Sequence, residues 1–396
     1  MKDVKRKVTI IGGAMTKPTS FDYRDYRQYA ADPVFRALDE IGLKPKDVEI
    51  FSVAYNERTI PDAAISPLMA DVLGGLNVPV IPVSSACAGG GVAAFNLHQY
   101  IASGRYRIGV CLSFSQTDLF YPMDTASASG NFTDIDYALG ITHFHYSYLR
   151  EVFFQEKYGT TDLHADATWA HQDHWYARRN PEAIRYGSPM PNKEALYAGG
   201  IQGIRTRSAA GRSQACALVF ACEDIAHQFD KPIYFDVGLG NRPAYMGAHF
   251  NYPHPDHEKS DISKQSGTAV AAKRAMEMAE ITVDDIDVFQ VHDLTPSDGY
   301  MQLEAIGVAP VEELLDLVLE GETGPTGKFP TNTDGGALGF GHSSVGGDFH
   351  SKVIENIHQL RGECGERQVP NAQVALAQAY GTHQSVDAVG ILRRCF

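Results

Sequence analysis

The chain has 396 residues, 44% hydrophobic and 21% charged, which is the balance of a folded globular protein. A net charge of −14 argues against a nucleic-acid backbone as partner, and no apolar run reaches the roughly 18 residues of a membrane span. Six scattered cysteines, with no Cys-x-x-Cys and no zinc-ribbon spacing, rule out a small disulfide scaffold and leave each thiol as core filling or chemistry.

The chain opens with a basic segment, Met1 to Lys7, followed by Val8-Thr9-Ile10-Ile11. That apolar stretch is too short for the core of a signal peptide and reads as the first β-strand of a cytoplasmic protein. Ile11-Gly-Gly-Ala lacks the third glycine and the distal acid of a dinucleotide-binding turn. Two distant segments then align without a gap, Arg36–Phe51 and Arg274–Phe289. Each reads as amphipathic helix, turn and strand, and the shared order points to an internal duplication.

After the first copy the pattern predicts a helix over Pro67–Leu76, a strand over Val78–Val83, a turn at Cys87, a helix over Gly91–Ser103 and a strand over Ile108–Phe114. The second copy runs through a strand at Val288–Val291, a helix after Pro296, a glycine loop and a helix ending near Leu360. Strands over Gln373–Ala379 and Ser385–Leu392 close it. The expected organisation is an N-terminal half over residues 1–265 and a C-terminal half over 266–396. An irregular, aromatic-rich insertion at about 117–245 is placed to line a substrate site.

Three features carry chemistry. In Val83-Ser-Ser-Ala-Cys87-Ala-Gly-Gly-Gly-Val92 a strand ends at a cysteine and a helix begins behind three glycines. Such a turn exposes the thiol to a helix N-terminus, which favours thiolate, although a core cysteine ahead of a phosphate-binding loop fits the same letters. Gly341-His342 lies in a second glycine loop, Asn332 to Gly347, where a histidine serves either structure or chemistry. His292-Asp293 follows the second repeat's strand where the first repeat has Ala54-Tyr55, so the duplication isolates the pair as an addition to one copy.

Taken together, Cys87 in Ser-Ala-Cys-Ala-Gly-Gly-Gly, the His292-Asp293 pair and Gly341-His342 resemble the thiolase superfamily over nearly the whole chain. The likeness is strongest to the sterol-carrier-type and archaeal thiolases. The chain also resembles the thiolase-like subunit of phloroglucinol acetyltransferase, in Tyr137–His143, Arg185–Pro191 and Asn332–Gly336. The resemblance implies an α/β thiolase fold, with duplicated βαβαβαββ halves in a five-layered αβαβα sandwich that forms a homodimer. It implies acyl transfer on coenzyme A thioesters, with coenzyme A as substrate and no bound cofactor or metal. Cys87 would carry the acyl group and His342 would take its proton. His292 and His342 would hold an enolate oxygen, and Gly381 would lie in an oxyanion loop.

Thiolases of this kind also use a second cysteine as acid/base, and here the two places that would hold it read Leu294 and Ala377–His383. His143, Tyr380 and His383 are candidates to replace it, with Ser344 as an orienting group. The missing cysteine also suggests a small zinc-ribbon/OB-fold partner protein. The aromatics between 117 and 252 suit a bulky or aryl acyl chain, as in a benzoylsuccinyl-CoA thiolase. A phenolic C-acetyltransferase, a retro-aldolase and a scaffold subunit are the alternatives. His164, His171 and His174, and separately His249, His254 and His257, form no complete metal-ligand set by spacing.

Overall fold

The computed structural model describes residues 6–20, 22, 24–55, 62–72, 77–115, 143–159, 163–198, 206–209, 211–241, 264–343, 347–381 and 386–395. Its strands are β1 (Val8–Met15), β2 (Ile50–Ala54), β3 (Val80–Val83), β4 (Ile108–Ser115), β5 (Gly211–Arg212), β6 (Gln214–Cys222), β7 (Ile233–Asn241), β8 (Val288–Gln290), β9 (His342–Ser343), β10 (Val374–Gly381) and β11 (Val386–Arg394). The longer helices are α1 (Tyr26–Glu40), α2 (Asp62–Val72), α3 (Gly89–Ala102), α4 (His143–Tyr158), α5 (His164–Ala177), α6 (Ser266–Ala279), α7 (Pro296–Ile306), α8 (Val311–Leu319) and α9 (Gly347–Arg361).

The duplication is visible in the strand pairing. In the first half β2 pairs in parallel with β3 and β4, β4 pairs antiparallel with β6, and β6 antiparallel with β1. In the second half β8 pairs in parallel with β10, and Phe289 bridges in parallel to Thr331. There β10 pairs antiparallel with β11, and β11 antiparallel with β7. The halves join where β1 pairs with β7, giving the order β3-β2-β4-β6-β1-β7-β11-β10-β8. The strand opposite β1 in this symmetry is β7, which precedes residue 266 in the chain.

The aligned segments fold alike because they share an acid at the same place. The Asp47 carboxylate accepts from the Lys44 backbone N–H at 2.8 Å, and the Asp285 carboxylate accepts from the Thr282 N–H at 2.8 Å. Each closes a short 3-10 turn, Pro45–Asp47 or Val283–Asp285, between helix and strand.

The fold is a five-layered αβαβα sandwich. Its middle layer is α3 and α9, which meet where Gly91 faces Phe349, and the Ala388 β-carbon of β11 leaves no room for a side chain on Gly91. Helix α9 is buried from Gly347 through Ile357, including Asp348, Lys352 and Glu355. A helix with charged residues and no solvent face needs internal partners for each of them. Glu355 finds Arg367 at 2.5 Å and the Thr333 hydroxyl at 2.9 Å, and the partners of Asp348 and Lys352 lie in the site. Among the described residues, no helix is long and apolar enough to cross a membrane.

Candidate active site

Strand β3 stops at Val83, and Ala86 then takes a left-handed φ of 47° immediately before Cys87. A β-carbon in that region is strained, and such strain is tolerated where the surroundings fix the turn. Cys87 sits in the single 3-10 turn Ala86–Ala88, which runs directly into α3, so the thiol lies at the start of a helix as the glycine pattern predicts. The expected bias toward thiolate is overridden. Burial, with the Asp348 charge adding to it, pushes the Cys87 thiol up to about 12 despite an opposing pull from Lys352. In the resting site Cys87 is a thiol, and it needs a base.

Two histidines converge on it. His292 follows β8; its backbone N–H donates to the Gln378 side-chain oxygen at 2.9 Å, and the preceding Val291 N–H donates to the Asn332 side chain at 2.8 Å. His342 opens β9 directly after Gly341, whose φ of 117° is a backbone state closed to most side chains. The two imidazoles meet edge to face with centroids 5.0 Å apart. Donor atoms of Cys87, His292 and His342 all lie within 4.8 Å of one another, and all three residues are buried. It is the one such three-donor grouping of His, Cys and carboxylate residues found among the described residues. A thiol and two imidazoles could in principle hold a zinc ion, but the same set also makes a nucleophile with two proton or hydrogen-bond partners.

The histidines differ in what stands behind them. His292 Nδ1 is 2.6 Å from Asp348 Oδ2, while the other Asp348 oxygen is 2.6 Å from Lys352 Nζ. Burial alone would raise the Asp348 carboxyl, but Lys352 and His292 hold it far below the usual carboxylate range. His342 has no bonded carboxylate among the described residues, and burial pulls its imidazole down to about 3. The Nε2 atoms of both histidines are buried with no hydrogen-bond partner among the described residues.

A family model described as "Thiolase C-terminal domain-like" matches residues 252–394. The chain is 26% identical to acetyl-CoA acetyltransferase of Methanothermobacter thermautotrophicus, over 98% of its own length and 100% of that protein. It is 27% identical to Sterol carrier protein 2 of Homo sapiens, over 95% of its length and 70% of that protein. These similarities run to proteins of the thiolase superfamily, and the chain has the thiolase fold. Among solved structures it is similar in fold to an Ltp2-ChsH2(DUF35) aldolase, with a TM-score of 0.82 at 18% identity, covering 99% of this chain and 98% of that one. Human mitochondrial 3-ketoacyl-CoA thiolase is also similar, with a TM-score of 0.69 at 14% identity, covering 99% and 100%.

Other expected site residues fall into place unevenly. Gly381 ends β10 against the nucleophile turn; a β-carbon there would overlap the Ser85 carbonyl oxygen and come within 2.8 Å of the Ala88 nitrogen. Gly381→Ala is therefore expected to displace the Cys87 turn and cut kcat by about 100-fold or more, since a shift near 1 Å costs that much. Steady-state kinetics on a folded variant checks it, and an unchanged kcat would exclude Gly381 from the site. Tyr380 packs at a tilt against His292 with centroids 4.1 Å apart, but its hydroxyl is engaged: it donates to Asp298 and accepts from Arg150, each at 3.0 Å. Leu294 is buried where the second cysteine was sought. His143 begins α4 with its side chain outside the described residues, and Ser344 and His383 lie outside them altogether. The aromatics at 117–142 and His249, His254 and His257 also lie outside. Of the helical histidines, His174 is buried with Nε2 on the Thr206 carbonyl at 3.2 Å, whereas His164 and His171 are exposed.

Asp293 braces the thiolase-like site rather than facing its thiol. Its carboxylate accepts from the Ala337 N–H at 2.8 Å and from Trp169 Nε1 at 3.1 Å, tying the glycine loop to α5. Asp173 lies against it, its carboxyl pushed well above the usual carboxylate range by burial and by the Asp293 charge. Asp334 is raised to about 7, first by burial and then by Glu355, with Lys352 opposing. A carboxyl raised in the folded state contributes stability below its unfolded value near 4 and loses it as pH climbs through about 7. Between pH 5 and 8 the stability of the wild type relative to Asp334→Asn should fall by roughly 3 kcal/mol, read by denaturant titration. Parallel curves for the two proteins would contradict this.

The residues that sequence reasoning missed are Asp348, Lys352 and Gln378. The i,i+4 acid–base pair on α9 has the signature of a solvated helix face. Only the burial of α9 in the middle layer gives it another role.

Proposed function

We propose that the protein cleaves a 3-oxoacyl-CoA with free coenzyme A through an acyl-cysteine at Cys87. The observation that carries this reading is the convergence of Cys87, His292 and His342 within 4.8 Å in a buried site at a helix start. Cys87 sulfur would attack the 3-oxo carbon, the C2–C3 bond would break, and the electron pair would leave on C2 as the enolate of the departing acyl-CoA. Coenzyme A would then collect the acyl group and restore the thiol. The acyltransferases among its relatives support this chemistry, and a bulky or aryl acyl chain such as benzoylsuccinyl remains the specific substrate proposal.

The test is intact-protein mass after mixing with short, long and aryl 3-oxoacyl-CoAs. An added acyl mass on Cys87, removed by free coenzyme A, supports the reading and names the chain; no adduct with any of them would sink it. A second reading has its own support, the TM-score of 0.82 to an aldolase whose name couples it to a DUF35 protein. It predicts carbon–carbon cleavage that needs no free coenzyme A and leaves no acyl-cysteine. On either reading we expect a small DUF35-type zinc-ribbon/OB-fold partner beside a homodimer. Repeating the assay with the partner present separates an inactive subunit from an inactive enzyme.

A further inference from the structure

The departing C2 carbanion must be protonated, and the described site holds only one cysteine for a reaction that its relatives are expected to run with two. Among the described residues the two unpartnered imidazole Nε2 atoms are the groups at hand, and the structure distinguishes them. Asp348 is salt-bridged to Lys352 and ionised, so it can only accept hydrogen bonds. The 2.6 Å contact therefore requires His292 to carry its proton on Nδ1, which leaves the Nε2 lone pair toward Cys87 and His342. When Nε2 gains a proton, Asp348 stabilises the imidazolium, and the Tyr380 ring against His292 helps to hold the plane. Protonating His342 instead would bury a charge with no bonded counter-ion among the described residues.

We infer that His292 Nε2 is the single proton carrier of both half-reactions, and that Asp348, anchored by Lys352, is the positioning residue that fixes its tautomer. This rests on the acyl-cysteine reading for its first step. The Cys87 thiol proton passes to His292 Nε2 as sulfur attacks the 3-oxo carbon. As the C2–C3 bond breaks, the same proton moves from Nε2 to C2 and completes the departing acyl-CoA. In the second half His292 takes the proton of the incoming coenzyme A thiol as that sulfur attacks the acyl-cysteine. It returns that proton to Cys87 sulfur as the thioester bond to Cys87 breaks. Each half-reaction begins and ends with neutral imidazole, so no second cysteine is needed. His342 then acts as a hydrogen-bonding group for the oxyanion and not as the base for Cys87.

The experiment is hydrogen exchange at C2 of acetyl-CoA and of succinyl-CoA in D2O, followed by mass, alongside the acyl-adduct assay on the same samples. Wild type should exchange with at least one of the two. His292→Gln should lose the exchange, and Asp348→Asn should slow it by about 100-fold or more with KM nearly unchanged. The double variant Asp348→Asn/Lys352→Met, which removes both charges and leaves neither unpaired, should be folded and equally slow. His342→Asn should exchange faster than His292→Gln. Exchange that survives His292→Gln, or that is absent from the wild type with both probes, overturns the inference. Wild-type speed in the double variant overturns the role of Asp348. If no adduct forms but exchange still needs His292, the acyl-cysteine reading fails and the proton carrier stands.

Discussion

Cys87→Ala should form no acyl adduct and should lose turnover by about 10⁴–10⁶-fold, the scale seen when a covalent nucleophile is removed from a site whose other parts remain. The fold should survive, because the substitution deletes one small atom from a turn whose shape is set by the Ala86 backbone and by Gly381 behind it. Cys111, Cys216 and Cys222 are buried on strands, and Cys364 is buried beyond the end of α9, so none offers an alternative nucleophile in the site. Peptide mapping of the adduct checks this directly. An acyl group on any other cysteine, or turnover within 10-fold of wild type, would remove Cys87 from the centre of the mechanism.

The second large effect is on stability. Lys352→Met should destabilise the protein by about 3–5 kcal/mol, because it leaves the Asp348 carboxylate in the middle layer with His292 as its one remaining side-chain partner among the described residues. Adding Asp348→Asn should recover most of that loss, since the cost comes from the unpaired charge and not from the missing side-chain atoms. Denaturant unfolding of the single and double variants measures both numbers. A loss below 1 kcal/mol in the single variant would mean that water reaches Asp348, against its burial in the middle layer.

Much of the frame was legible from residue patterns. The helix–turn–strand duplication at Arg36–Phe51 and Arg274–Phe289 folds as two equivalent units because the periodicity and the turn-closing acids, Asp47 and Asp285, are local features. The strand ending before Cys87 and the helix beginning behind it follow equally from Val80–Val83 and the three glycines. β7 owes its position opposite β1 to long-range pairing with β1 and β11, which leaves no local signal.

The chemistry divides in the same way. Sequence by itself determined which residue types meet: a thiol at a glycine turn, a histidine after a repeat strand and a histidine in a glycine loop. It could not set their ionisation. The helix start suggested a thiolate at Cys87, whereas burial in the packed middle layer keeps the thiol protonated. Asp348 and Lys352 carry the letters of an exposed helix, yet α9 is buried in the middle layer, and that placement makes them the electrostatic support of His292. Desolvation and counter-ion distance are properties of three-dimensional neighbours, so only the tertiary structure decided which of the two histidines is equipped to carry a proton.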